Sequence, residues 1–131
     1  MRYFISCKQQ GVDIRNLILS LNIISKAIEE LGNETYIFFR DTQNWGDVII
    51  PKKDVMQKAF EEIDKSDIIF VFVDYKEKSE GMLLECGYAK AKNKKIIVAI
   101  KKGVESDLLK SIADKVIHYK DLNDLKDEII I

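Results

Sequence analysis

The sequence predicts one α/β domain over residues 1–131, built as a three-layer, doubly wound sheet of five parallel strands in the order 2-1-3-4-5. Strand-like and helix-like segments alternate along the whole chain. The run IIFVFV at 68–73 is continuously apolar, which is typical of a strand buried on both faces of a parallel sheet. No Asn-Gly or similar turn signal joins neighbouring strand-like runs. The expected architecture is therefore flavodoxin-like or Rossmann-like, with ligands at the carboxyl ends of the strands.

The first elements are a short strand, a long helix and a second strand. YFIS at 3–6 begins the sheet, and TYIFF at 35–39 follows as its second strand. Between them, residues 13–31 carry apolar side chains at helical spacing, and Gly32 ends the helix. The residues predicted to face the sheet are Ile14, Leu17, Ile18, Leu21, Ile24, Ile28 and Leu31.

The remaining elements continue the alternation after a polar loop that contains Trp45. We predict helices at 52–65, 81–93 and 105–113 and from Asp121 onward, and strands at 68–73, 95–100 and 115–119. At the predicted ligand edge, the loops begin at Ser6, Arg40 and Asp74.

The composition excludes several classes of function. The net charge of −1 provides no general attraction to nucleic acid or to an anionic membrane. No apolar run approaches the ~18 residues of a membrane helix, and no signal peptide precedes the first strand. Two cysteines, Cys7 and Cys86, and the single His118 do not form a zinc cluster or a histidine-based catalyst. We therefore expect a cytoplasmic protein with reduced thiols, no metal and no cofactor.

A second apolar stripe runs along the first helix, formed by Val12, Leu19, Ile23 and Ala27. Such a face is costly in water. Either a neighbouring helix of the same layer covers it, or a second copy of the chain does so in a homodimer.

The segment SEGMLLECGYAKA at 79–91 carries the strongest chemical signal, the carboxylate of Glu85. It lies near the start of a helix, where negative charge is favoured, and the neighbouring Met82, Leu83 and Leu84 are expected to limit water. An ionised carboxylate in such a place suits a nucleophile or a stabiliser of an oxocarbenium ion. The alternative is a solvated acid that only complements the helix dipole.

Two small residues beside this acid suggest a ligand. Gly81 would let a ligand approach the backbone, and the N–H groups of residues 79–81 would bind a phosphate or hydroxyl group. Ser79 has the alternative role of helix N-cap. Gly87 is expected to allow close packing between helix and strand.

At these residues the chain resembles the nucleoside 2-deoxyribosyltransferase superfamily, which includes nucleoside 5′-monophosphate N-glycosidases. The similar elements are an apolar strand ending in Asp74, then Gly81, the segment ECGYA at 85–89 and the strand at 95–100. The resemblance implies that Glu85 attacks the anomeric carbon. It also implies that Asp74 orients the sugar or the nucleophile and that Tyr3, in the first strand, holds the nucleophile by a hydrogen bond.

The resemblance also bears on the substrate. Transferases of the family have an aspartate at the position of Ser79, which binds the 5′-hydroxyl, whereas the monophosphate glycosidases have a serine that binds the phosphate. Ser79 therefore favours a nucleotide over a nucleoside, although Glu80 beside it weakens that inference. Ser6, at the end of the first strand, is a further candidate for substrate binding.

One departure concerns the leaving base. The family has an aspartate in the second helix where this chain has Ala59. In the preceding loop, Asp47 is a candidate for substrate binding, although its spacing does not match the family aspartate. Trp45 is predicted either to stack on a base or to cover the core. Without the family acid the C–N bond breaks less readily.

Two alternatives remain for the function. Residues 4–13, 38–47 and 58–73 also resemble bacterial TIR-type domains, which cleave NAD with a glutamate six residues after a serine, as Glu85 follows Ser79. Nicotinamide is already cationic as a leaving group, so Ala59 would matter less. The other alternative, motivated by Ala59, is a non-catalytic nucleotide-binding module.

Overall fold

The computed structural model describes residues 1–77 and 79–130. Its strands are β1 (Arg2–Cys7), β2 (Glu34–Ile37), β3 (Ile68–Val73), β4 (Lys95–Lys101) and β5 (Lys115–Tyr119). Its α-helices are α1 (Ile14–Glu30), α2 (Lys52–Asp64), α3 (Glu80–Ala91), α4 (Asp107–Ile112) and α5 (Leu122–Ile130).

All strand pairs of the sheet are parallel, and the strand order is β2-β1-β3-β4-β5. This confirms the predicted fold. The chain enters at β1, crosses to β2 at one edge and then returns past β1 to β3. The reversal between β1 and β3 is the switch point at which such sheets bind ligands.

Two apolar cores lie on opposite faces of the sheet. On one face, Phe4 and Ile69 pack under α2, α3 and α4 with Ala59 and Cys86. On the other face, Ile5 packs under α1 and α5 with their apolar side chains. Because side chains alternate along a strand, Phe4 and Ser6 of β1 face α3, whereas Tyr3 and Ile5 face α1.

The second strand is shorter than predicted. The run TYIFF at 35–39 was expected to be one strand, but β2 ends at Ile37, and Phe38–Thr42 form a turn of π-helix. The Asp41 carboxylate accepts a 2.8 Å hydrogen bond from the Ile37 N–H, which binds the turn to the end of the strand. Phe38 and Phe39 stay buried, one in each core, so their apolar character gave no sign of the turn.

The first helix buries only part of its predicted faces. Leu17, Leu21, Ile24 and Ile28 lie in the core as expected, but Ile14 and Leu31 are exposed. Of the second stripe, Ala27 is buried, whereas Leu19 is 56% exposed. Helix α5 packs beside α1, so a neighbouring helix covers part of the stripe. Within the described residues, no helix is long and apolar enough to cross a membrane.

Candidate active site

The candidate site forms around a hydrogen bond between β1 and α3. The Ser6 hydroxyl donates to Glu85 Oε1 over 2.6 Å. Ser6 is 1% exposed and lies beside Val71 of β3, so it is held by the central strands of the sheet. The carboxylate of Glu85 is therefore fixed beside the switch point between β1 and β3.

Burial changes the acidity of Glu85. Desolvation raises the pKa of Glu85 from 4.5 to about 7, while the hydrogen bond from Ser6 opposes that rise because it stabilises the ionised form. Near neutral pH both protonation states are populated. Such a carboxyl group suits nucleophilic or acid–base chemistry more than the solvated helix-dipole role.

The leucines beside Glu85 do not shield it as expected. Leu83 and Leu84 are 40% and 53% exposed, and only Met82 turns into the core. Helix geometry explains the difference, because three consecutive residues point in directions about 100° apart. Cys86 is also buried, and its pKa is raised to about 12 by burial and then by the charge of Glu85. Burial likewise raises the pKa of Cys7, so both thiols stay protonated at neutral pH.

Asp74 directly follows β3 and is half-buried at the carboxyl edge of the sheet. Burial raises the pKa of Asp74, whereas a hydrogen bond from its own backbone and the charge of Lys101 lower it. Asp74 and Glu85 both raise the pKa of Cys7, which indicates that the two carboxyl groups share one region of the edge. The structure therefore brings Ser6 and Glu85 into contact, and Asp74 lies at the same carboxyl edge of the sheet.

Ser79 lies at the beginning of α3, where its hydroxyl accepts a 3.3 Å hydrogen bond from the Met82 N–H. Its N-cap role is thus present. The same side chain lines a narrow crevice together with Asp74 and Lys8. The sequence analysis did not identify Lys8 as a candidate for ligand binding. Its position directly after the first strand, at the ligand edge of a parallel sheet, could have indicated that role. Ser79, Lys8 and the start of α3 offer an anion a hydroxyl donor, a cation and a helix N-terminus, whereas Asp74 and Glu77 in the same crevice oppose it.

The two glycines of α3 stand in open space. A Cβ atom added at Gly81 or at Gly87 would meet no other atom within 4 Å. Gly87 is exposed, so the expectation that it allows close helix–strand packing is wrong. Gly81 is partly buried beside Ser79, and its open space is compatible with the approach of a ligand.

Tyr3 does not reach Glu85. It packs in the core on the α1 side and borders a cavity at the amino edge of the sheet with Lys95 and Lys115. Tyr3 and Ser6 are three positions apart, which is about 10 Å along a strand. Because this separation is odd, their side chains point to opposite faces of the sheet. The hydrogen bond expected from Tyr3 is made by Ser6 instead.

The loop after β2 positions two further candidates. Trp45 packs edge-on against Phe39 with ring centres 5.4 Å apart, which supports its core-covering alternative. Asp47 is exposed in the same loop, with Asn44 Nδ2 at 3.5 Å from its carboxylate. Ala59, at the position of the family aspartate, is part of α2 and is fully buried in the core between this helix and the sheet. No polar group at that position replaces the missing acid.

A larger cavity of about 720 Å³ opens beyond Asp74, on the α1 side of the carboxyl edge. Asp74 borders both this cavity and the crevice at Ser79. Lys101, Tyr119 and Asn123 line its far side. Within residues 1–77 and 79–130, no group of three His, Cys, Asp or Glu side chains is close enough to hold a metal ion.

Comparison with known proteins gives one family and several similar structures. The family model described as nucleoside 2-deoxyribosyltransferase matches residues 19–119. A CMP N-glycosidase of Clostridium botulinum, BcmB, is similar with a TM-score of 0.74 at 17% identity, over 98% of both chains. A 2-deoxyribosyltransferase of Bacillus psychrosaccharolyticus has a TM-score of 0.71 at 13% identity, over 97% of this chain and 91% of that one.

A conserved protein of Enterococcus faecalis has a TM-score of 0.71 at 14% identity, over 98% of this chain and 96% of its own. No curated protein matches the sequence significantly. Identities this low show a shared fold, whereas the family model spans most of the elements that build the site. The chain belongs to the nucleoside 2-deoxyribosyltransferase family, whose members transfer or cleave nucleoside glycosyl groups.

Proposed function

We propose that this protein cleaves the N-glycosidic bond of a nucleoside 5′-monophosphate, with Glu85 as the nucleophile. The observation that carries the proposal is the Ser6–Glu85 hydrogen bond, which holds a carboxylate beside the switch point of the sheet. Membership of the family supports glycosyl transfer or cleavage as the reaction class.

In the proposed first step, a Glu85 carboxylate oxygen bonds to the anomeric carbon while the C–N bond breaks. The bonding electron pair leaves with the base, which takes a proton from solvent. Water or a second base then attacks the same carbon and displaces the carboxylate with net retention of configuration, and the proton of the attacking water or base passes to solvent. Ser6 would hold the nucleophilic oxygen through its hydroxyl, and Asp74 would orient the sugar.

Three features support a nucleotide over a nucleoside. Ser79 supplies a hydroxyl donor, Lys8 supplies a cation in the same crevice, and α3 begins beside it. Gly81 leaves space for the phosphate. Glu80 is exposed and lies outside the crevice, whereas Asp74 and Glu77 line it, so Lys8 offsets only part of the negative charge that a phosphate would meet.

The base would lie toward the loop after β2. Asp47 is exposed there and is the proposed polar contact for the base. Stacking of the base on Trp45 stays a prediction, since one edge of the ring is already occupied by Phe39. With Ala59 in place of an acid, we expect slow turnover, limited by departure of the base.

A homodimer is also proposed. Leu19 and the half-buried Ile23 of α1 leave apolar surface in water that a second copy of the chain would cover. Light scattering coupled to size-exclusion chromatography gives the mass directly. A protein that is still monomeric at about 100 µM would exclude a dimer with a dissociation constant below that concentration.

The function is tested with purified protein and a panel of deoxynucleoside and ribonucleoside monophosphates, nucleosides and NAD. Release of free base, followed by chromatography, supports the proposal; release of nicotinamide supports the TIR-like alternative. Nucleotide binding without release of either supports a non-catalytic module.

Glu85→Gln then tests the mechanism, because it keeps the shape but removes the charge. We expect single-turnover base release to slow by at least about 10²-fold. The exposed Glu30→Gln serves as a control that removes a carboxylate far from the site. Mass spectrometry with a 2-fluoro substrate detects the glycosyl adduct on wild type. An active Glu85→Gln variant excludes the glutamate nucleophile.

A further inference from the structure

Tyr119 ends β5 with a buried ring. It is 2% exposed and stacks on Phe72 of β3, with ring centres 5.9 Å apart. Ala99 of β4 lies between these strands, paired with Phe72 on one side and with Ile117 on the other. Because its side chain is a single methyl group, the two rings can meet over β4. The stack fixes the tyrosine at the carboxyl edge of the sheet.

The hydroxyl of Tyr119 is buried and has no hydrogen-bond partner among the described residues. A buried donor without a partner costs about 1–3 kcal/mol, and buried hydroxyl groups in proteins are nearly always satisfied. A phenylalanine would make the same stack without that cost. The hydroxyl therefore indicates a polar contact beyond the packing of the core.

The carboxyl group of Asp74 is a candidate acceptor, because Asp74 lies two residues after Phe72, whose ring stacks on Tyr119. Asp74 and Tyr119 line the same 720 Å³ cavity, and Lys101 is the paired residue of Tyr119 on β4. Burial and then the charge of Asp74 raise the pKa of Tyr119, so the phenol is a neutral hydrogen-bond donor. The charged groups that border the cavities around Asp74 are Lys8, Glu77, Lys101, Lys120 and Asp121.

We propose that Tyr119 is a positioning residue of the candidate active site, whose hydroxyl donates a hydrogen bond to the ionised Asp74 carboxylate and orients it toward the substrate. A rotation of the half-buried Asp74 side chain completes the contact. The proposal rests on the proposed function for its catalytic consequence, whereas the hydrogen bond itself does not depend on any substrate.

The first measurement is the titration of Asp74 by carboxyl ¹³C NMR in wild type and Tyr119→Phe without ligand. A hydrogen bond to the ionised form lowers a carboxyl pKa, so its loss should raise the pKa of Asp74 by about one unit. The matched control is Tyr88→Phe, which removes an exposed hydroxyl that donates to Asp64 at 2.8 Å. That control should leave the titration of Asp74 unchanged. An unchanged titration in Tyr119→Phe would overturn the proposal.

The second measurement is nucleotide cleavage by the same variants. We expect kcat of Tyr119→Phe to fall about tenfold with a smaller change in KM. The thermal midpoint should fall at neutral pH, because the variant keeps the stack but loses the hydrogen bond to the ionised Asp74. A shifted Asp74 titration with unchanged kcat would overturn the positioning role. A shifted titration together with a wild type that cleaves no substrate would leave the hydrogen bond in place and refute the proposed function instead.

Discussion

The Ser6 hydroxyl and the Glu85 carboxylate, 79 residues apart in the chain, are joined by a 2.6 Å hydrogen bond. This contact connects the first strand of the sheet with the helix that follows the third. It restrains the carboxylate beside the switch point of the sheet. It also stabilises the ionised form of a carboxyl group that burial would otherwise keep protonated.

The first prediction concerns the pH dependence of cleavage and its change in Ser6→Ala. A nucleophilic Glu85 must be ionised, so single-turnover rates should rise with pH to a midpoint near pH 7. Loss of the Ser6 donor removes stabilisation of the anion and should move the midpoint upward by about one pH unit. Ser25→Ala is the matched control, since Ser25 is a buried serine of α1 whose hydroxyl donates to the Asn22 carbonyl. Equal midpoints in Ser6→Ala and wild type would contradict the assignment.

The second prediction concerns the stability of Glu85→Gln. Burial raises the pKa of Glu85 in the folded state from 4.5 to about 7. The folded protein therefore binds more protons than the unfolded chain between these values, and its stability falls as pH rises through that window. The glutamine does not ionise, so its stability relative to wild type should increase from pH 4.5 to pH 7.

Above pH 7 the gain in the free energy of unfolding of Glu85→Gln relative to wild type should level off at about 3 kcal/mol. Urea unfolding at pH 5 and pH 8 measures it. Glu30→Gln, at an exposed position, should show no such dependence on pH. A Glu85→Gln variant that is equally stable relative to wild type at both pH values would show that Glu85 is not desolvated.

The third prediction compares the two glycines of α3. Because neither position has an atom within reach of an added Cβ, Gly81→Ala and Gly87→Ala should both fold, with gains of up to about 1 kcal/mol. Only the methyl group at position 81 would collide with a bound phosphate. We expect nucleotide affinity to fall about tenfold in Gly81→Ala, which corresponds to about 1.4 kcal/mol, and to be unchanged in Gly87→Ala. Calorimetric titration with both variants decides this, and equal affinities would remove Gly81 from the binding site.

The fourth prediction concerns substrate choice. Ser79→Asp preserves the N-cap of α3, because aspartate caps a helix as well as serine. Its charge should repel a phosphate, so kcat/KM for a nucleotide should fall at least about tenfold relative to that for the corresponding nucleoside. Lys8→Ala should also lower kcat/KM for the nucleotide, and it should leave kcat/KM for the nucleoside unchanged. A nucleotide-to-nucleoside ratio that both substitutions leave unchanged would place the phosphate elsewhere.

Much of the site could be anticipated because its residues follow strand ends. Asp74 and Ser6 lie where parallel strands leave the sheet, and the family motif around Glu85 indicated the helix between β3 and β4. The role given to Tyr3 failed for a reason that the sequence contains only in part. Residues 3 and 6 of one strand must point to opposite faces, but the sequence does not say which face α3 covers.

Alternation and burial patterns determined the five parallel strands, their order and the approximate helices, since each depends on local periodicity and on chain connectivity. Tertiary structure decided where β2 ends, because Asp41 closes a turn while Phe38 and Phe39 remain buried. It also decided that Leu83 and Leu84 face solvent and that Lys8 lies at the crevice of Ser79. These outcomes depend on contacts between residues that are distant in the sequence, and local spacing does not specify such contacts.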